Sequence, residues 1–214
     1  MRTGRPVTAA VAVVSCLALG ACGAADRPTV KASAPSRSGS VLPAGAGCIA
    51  MPMDPKDPGS LEAMAAKPVA SAIAGSAALS SLSDAVKRAG LTGTWNTARA
   101  VTVFAPTNRA FAKIPSADRK RLMADKRALV GILSYHMLPE RLGPAAVVGS
   151  HRSLQGGDVV VETDGQAMTV NTSAAVLCAN VQTRNATVYI VDSVLSPRPD
   201  LLPRPSSQQT VSRG

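Results

Sequence analysis

Hydrophobic and polar positions divide this 214-residue chain into three stretches with different periods. Val7 to Leu19 is an apolar run without helical or strand alternation. Gly23 to Gly47 is small, Pro- and Ser-containing and aperiodic. From Cys48 to about Pro197 the pattern is periodic, and its first half is helical. Ser60 to Lys67 reads as a short helix, and Pro68 at a first helical position opens another through Ala74. Ser76 is read as the cap of a stronger helix that places Leu79, Leu82, Val86 and Ala89 on one face and stops at Gly90. Val101 to Ala105, closed by Pro106, reads as a strand. Thr107 then caps a turn of helix through Lys113. Pro115-Ser116 starts a helix carrying Arg119, Lys120 and Arg121, and Leu129, Ile132, Leu133 and His136 keep helical spacing up to Pro139.

After Pro139 the period changes. Gly143, Gly149, Gly156-Gly157, Gly165 and Asn185 punctuate Val- and Thr-rich runs at Val159 to Thr163, Met168 to Asn171, Val176 to Thr183 and Thr187 to Val191. Helices followed by a block of strands predict an α+β domain, N-terminal helices packed against a mostly antiparallel sheet. Five aromatic residues leave the core to Leu, Val, Ile, Ala and Met. The tail 198–214, with Pro199, Pro203 and Pro205, is expected to be disordered.

The first 22 residues set the compartment. Arg2 and Arg5 precede the apolar run, and Leu19-Gly20-Ala21 places small residues before Cys22. This resembles the lipobox of bacterial lipoproteins, which implies removal of residues 1–21 and diacylation of Cys22 on the outer face of a membrane. The run is shorter than the roughly 20 residues of a membrane-spanning helix. Losing Arg2 and Arg5 with the leader lowers the formal charge from +10 to +8, a balance that favours anionic surroundings and says nothing about fold. Residues 22–47 then act as a tether, with an end-to-end distance of about 28 Å for a flexible coil. Gly45-Ala46-Gly47-Cys48-Ile49-Ala50 fits a dinucleotide-binding pattern, but no strand precedes it, and Pro52, Pro55 and Pro58 block the helix that must follow.

Two segments of the folded region resemble the signature boxes of the fasciclin domain: Thr102 to Asn108 with Phe111, and Asn185 to Leu195. Tyr135-His136 stands where these domains carry a Tyr-His dipeptide. Within the family the chain is more similar to single-domain mycobacterial surface lipoproteins and their secreted antigen relatives, which share Gly47-Cys48 and Leu177-Cys178. The resemblance implies a fasciclin domain over 48–197 and a role in adhesion or in protein and envelope interactions rather than catalysis.

Candidate residues follow from both readings. With Cys16 lost and Cys22 lipidated, Cys48 and Cys178 remain as one disulfide pair or two free thiols, and the resemblance favours the disulfide. Phe104 and Phe111 are expected to enter one core, and Asp192 to hold neighbouring backbone or side chains. In animal relatives the Tyr-His dipeptide is associated with cell adhesion, so Tyr135 and His136 are binding candidates, although their apolar neighbours read first as a buried helix end. Arg119, Lys120 and Arg121 read as a solvated face, with anionic polymers or headgroups as the functional alternative. The sequons at Asn171 and Asn185 read as turns. The hydrolase and redox templates H-E-x-x-H, C-x-x-C and G-x-S-x-G do not occur, so no catalytic residue, cofactor or metal is expected. So few aromatics argue against nucleic-acid binding. The partners expected are the membrane, through Cys22, and host-cell or envelope surface components.

Overall fold

The computed structural model describes residues 44–49 and 51–197. The leader, Cys22, the tether up to residue 43 and the tail 198–214 lie outside them. Among the described residues a 3-10 turn (Ala46–Cys48) is followed by four helices, α1 (Leu61–Ala65), α2 (Val69–Gly75), α3 (Ser80–Ala89) and α4 (Thr92–Thr97). Strand β1 (Val101–Pro106) is followed by α5 (Asn108–Ala112), α6 (Ser116–Ala124), α7 (Lys126–Tyr135) and the two-residue β2 (Met137–Leu138). The rest is β3 (Gly149–Arg152), β4 (Asp158–Thr163), β5 (Met168–Val170), β6 (Ala174–Gln182) and β7 (Ala186–Val191). None of these helices is long and apolar enough by itself to cross a membrane.

The strands form one sheet in the order β2-β1-β7-β6-β5-β4-β3, in which β1 and β7 run parallel and every other pair is antiparallel. This is the expected α+β class with a mostly antiparallel sheet. The single parallel pair joins the two signature segments, Phe104 opposite Tyr189 and Ala105 opposite Ile190.

Every residue of β1 and β7 is buried, because both faces of these strands are covered. Val101, Val103, Ala105, Val188 and Ile190 face the helices and pack with Ile73, Leu79, Leu82, Val86 and Trp95. Their alternate neighbours Phe104, Tyr189 and Val191 enter a second core with Tyr135, Leu138, Val159, Val161 and Val170. Strand period two therefore sends Phe104 away from Phe111, which lies in the helical core. The expectation of one shared core is corrected: Phe104 tilts onto Tyr189 with ring centroids 5.8 Å apart. Each such side chain, fully buried, contributes about 1.5–3 kcal/mol.

Other differences have local causes. α4 escapes the periodic reading because Thr-Gly-Thr-Trp-Asn-Thr is a weak helix former, held instead by Trp95, which is 1% exposed. Ser76 supplies no side-chain cap; a 3-10 turn at Ala77–Leu79 intervenes and α3 begins at Ser80. Pro68 sits one position earlier than expected, as the residue before the first helical one. Gly90 does end α3, with φ +75°, and the Leu91 N–H donates to Val86 O at 3.0 Å. Ala44, four residues ahead of the expected start of the domain, exchanges backbone hydrogen bonds of 3.2 and 2.8 Å with Ala179. Gly47, assigned by composition to the tether, is packed so closely that a Cβ there would lie 2.9 Å from Leu177 O. Strand β6 is interrupted by register shifts, with Asn180 at φ 60°.

Candidate functional site

The polar residues of the signature segments converge on helix ends. In the first segment, the Thr107 hydroxyl accepts from Ala110 N at 3.2 Å and caps its own helix. Asn108 reaches across instead: its Oδ1 accepts from Ser81 N at 2.9 Å, and its Nδ2 donates to Ala77 O at 2.8 Å, closing the start of α3. In the second segment, Asn185 Oδ1 accepts from Val69 N at 2.8 Å at the start of α2. Its Nδ2 donates to Trp95 O at 2.9 Å and Ala98 O at 2.8 Å at the end of α4. Two helices that lack a side-chain cap of their own thus receive one from a residue distant in sequence, Asn108 taking at α3 the role read for Ser76.

Asp192 is held as expected. Its Oδ1 accepts from Ala175 N at 2.8 Å and from Ser193 Oγ at 3.0 Å, while Oδ2 pairs with Lys113 Nζ at 2.7 Å. Partial burial pushes this carboxyl up, but the Lys113 hydrogen bond, the Ala175 and Ser193 bonds and the Lys113 charge together outweigh it and hold it below its usual range.

Tyr135 and His136 are both buried, and neither offers side-chain surface to a partner. The Tyr135 hydroxyl donates to Asp158 O at 2.7 Å and accepts from Asn171 Nδ2 at 2.9 Å. His136 Nε2 accepts from Leu195 N at 2.9 Å, which fixes the neutral tautomer with the proton on Nδ1, directed at Ile132 O 2.8 Å away. Burial pushes the imidazole down to about 4 against a smaller upward pull from the Ile132 carbonyl. The dipeptide ties α7 to β4 and to the segment after β7. Both sequon asparagines are similarly engaged, since Asn171 Oδ1 also accepts from Val160 N at 2.9 Å.

Cys48 and Cys178 form a disulfide with Cα atoms 4.9 Å apart, clipping the start of the domain to β6 across 130 residues of sequence. Cys22 lies outside the described residues. No cluster of three or more His, Cys, Asp or Glu side chains occurs among the described residues.

The basic run is not a uniform face. Arg119 Nη1 donates to Phe111 O at 3.2 Å and Ile114 O at 3.4 Å, ending α5. Arg121 pairs with Asp118 one turn back. Lys120 is exposed and lines, with Arg119, Met123 and Ala124 of α6, a cleft of about 360 Å³ whose opposite wall is Ser81, Asp84 and Arg88 of α3, with Phe111 between. Sequence periodicity gave both helices but not that they face each other, so Arg88, Asp84 and Met123 carried no signal as site residues.

A fasciclin-domain family model matches residues 77–197. The immunogenic protein MPB70 of Mycobacterium bovis is 37% identical over 174 residues, which cover 78% of this chain and 88% of that protein. The cell surface glycolipoprotein MPB83 of Mycobacterium bovis is 40% identical over 149 residues, 67% of each. Among solved structures, the FAS1 domain pair from the insect cell adhesion molecule fasciclin I superposes with a TM-score of 0.56 at 16% identity, covering 64% of this chain and 53% of that one. At that identity the likeness is one of fold.

Proposed function

The chain belongs to the fasciclin family, and from that premise we propose that it is a lipid-anchored, extracytoplasmic surface protein whose single domain is a non-catalytic adhesion or envelope-interaction module. The observation that carries this reading is Leu19-Gly20-Ala21-Cys22 set ahead of a domain whose other two cysteines are joined to each other. Disulfides persist in oxidising compartments, which supports a position outside the cytoplasm. The 40% identical relative is a cell surface glycolipoprotein, which supports anchoring at Cys22. The polar side chains of the signature segments are committed to backbone at helix ends and strand junctions, which supports a scaffold role for them rather than chemistry.

Anchoring is tested by Cys22→Ser. The variant should lose acylation and move from the membrane fraction to the medium. Mass spectrometry that finds an unmodified mature N-terminus in the wild type would refute it. A second reading, an extracytoplasmic small-ligand or anionic envelope-polymer binding lipoprotein, is favoured by the cleft between α3 and α6. Pull-downs from intact envelope and host-cell extracts, comparing wild type with a basic-face variant, separate the two.

A further inference from the structure

We infer that the cleft between α3 and α6 binds an acidic saccharide, a sugar chain bearing carboxylate, phosphate or sulfate groups. This deepens the second reading above, binding of an anionic envelope polymer, and rests on it. Ser81, Asp84 and Arg88 recur every three to four residues along α3, and on α6 Arg119 and Lys120 are followed one turn later by Met123 and Ala124, so one face of each helix lines the cleft. The cleft's volume of about 360 Å³ lies at the small end of ligand clefts.

Several charges on and around these walls are already paired. Lys87 pairs with Asp84 at 3.8 Å, Arg121 with Asp118, and Lys113 with Asp192. Arg88 and Lys120, one on each wall, are exposed and have no ion pair or hydrogen bond among the described residues. Arg119 is held in place by its two carbonyl acceptors and retains further N–H donors beside them. Lys126 extends the positive field along the end of α3, since a Cβ at Gly90 would lie 3.5 Å from its Nζ.

The rest of the lining selects among anions. The Ser81 hydroxyl and the Asp84 carboxylate give acceptors that a hydroxylated ligand can use, whereas a bare phosphate or an acyl carboxylate would meet Asp84 as repulsion. Met123, partly buried, and the edge of the buried Phe111 supply a small apolar patch for the C–H face of a sugar ring. An acidic saccharide uses the cations, the acceptors and the apolar patch together.

The test is calorimetric titration of the full-length chain, in detergent, with an oligogalacturonate, dextran sulfate, neutral dextran and polyglutamate. The acidic saccharides should bind with an affinity that falls as salt rises, and neutral dextran should not bind. Arg88→Glu combined with Lys120→Glu should weaken binding by about tenfold or more, while Arg99→Glu with Arg184→Glu, the same change in net charge outside the cleft, should weaken it about threefold or less. Amide shifts on adding oligogalacturonate should concentrate in residues 81–88 and 119–124, a readout that needs no substitution. Equal losses in the two double variants, shifts elsewhere, polyglutamate binding as tightly, or no saccharide binding would each overturn the inference. Absence of binding with acylated Cys22 leaves the surface-module reading standing, whereas an unacylated wild type removes that reading's anchor without touching the binding result.

Discussion

Acidification should destabilise this domain well before its carboxylates are protonated, and His136 is the reason. The imidazole is fully buried between α7 and the segment after β7, with Nδ1–H directed at Ile132 O and Nε2 accepting from Leu195 N. Protonating Nε2 would place a second N–H against the Leu195 N–H and a charge where no water reaches. The folded-state value of about 4 lies below the ordinary 6.5. Because the folded value is depressed, the unfolded chain takes up the proton first as pH falls. The stabilisation is complete above pH 6.5 and is lost progressively between 6.5 and 4. The gap corresponds to about 3 kcal/mol in full, of which about 2 kcal/mol is lost between pH 7.5 and 5. A domain of this size has about 5–15 kcal/mol in total, so the effect is measurable.

Urea unfolding at pH 7.5, 6.5, 5.5 and 5.0 checks this for the wild type and for His136→Gln, whose carbonyl can still accept from Leu195 N. The variant should be less stable at pH 7.5 by about 1–3 kcal/mol and lack most of the slope between pH 6.5 and 5. Asp192 does not confound the window. Its lowered carboxyl contributes stability that is present above its ordinary value and is lost only as pH falls further. A His136→Gln protein that loses stability with the same slope as the wild type would refute the reasoning.

Reduction of Cys48–Cys178 should lower the melting temperature. The chain-entropy model gives about 5 kcal/mol for a loop of 130 residues, and non-reducing peptide mapping should recover the cross-linked peptide. Tyr135→Ala should cost about 3–5 kcal/mol and Tyr135→Phe about 1–2 kcal/mol in urea unfolding. Adhesion should fall only in step with folding, so a stable Tyr135→Ala protein that no longer adheres would refute the buried role. Asn185→Ala should cost about 2–3 kcal/mol, more than the roughly 1 kcal/mol expected for Asn108→Ala, because Asn185 joins the start of α2 to the end of α4 while Asn108 serves one helix.

The residues that make the family visible are largely those that hold the fold, and this sets what could be read from the chain. Helices α3 and α7 were legible because half-buried helices print their period on the sequence, α2 through Pro68 at its start, and strands β4 to β7 through Val- and Thr-rich runs set off by Gly and Asn. β1 was legible through its β-branched and aromatic run. α4, β2 and β3 were not: α4 depends on Trp95 and on the Asn185 bridge, and β2 is two residues defined by pairing with Thr102 and Val103. Of the candidate residues, Asp192, a carboxylate at the end of an apolar run, holds neighbouring groups as read, and Cys48 and Cys178 form the disulfide that the family resemblance favoured over two free thiols. Tyr135 and His136 match a dipeptide associated with adhesion, but their apolar neighbours already read first as a buried helix end, and the bonds to Asp158, Asn171 and Leu195 give them that role. The cleft lies at the opposite extreme. Lys120 was visible only as one member of a basic run and Arg88 belonged to no motif, and their approach depends on how α3 and α6 pack around α5. Partner recognition that differs among members of one family is therefore to be sought on such surfaces, where a charge can change without cost to the core, and not in the boxes that define the family.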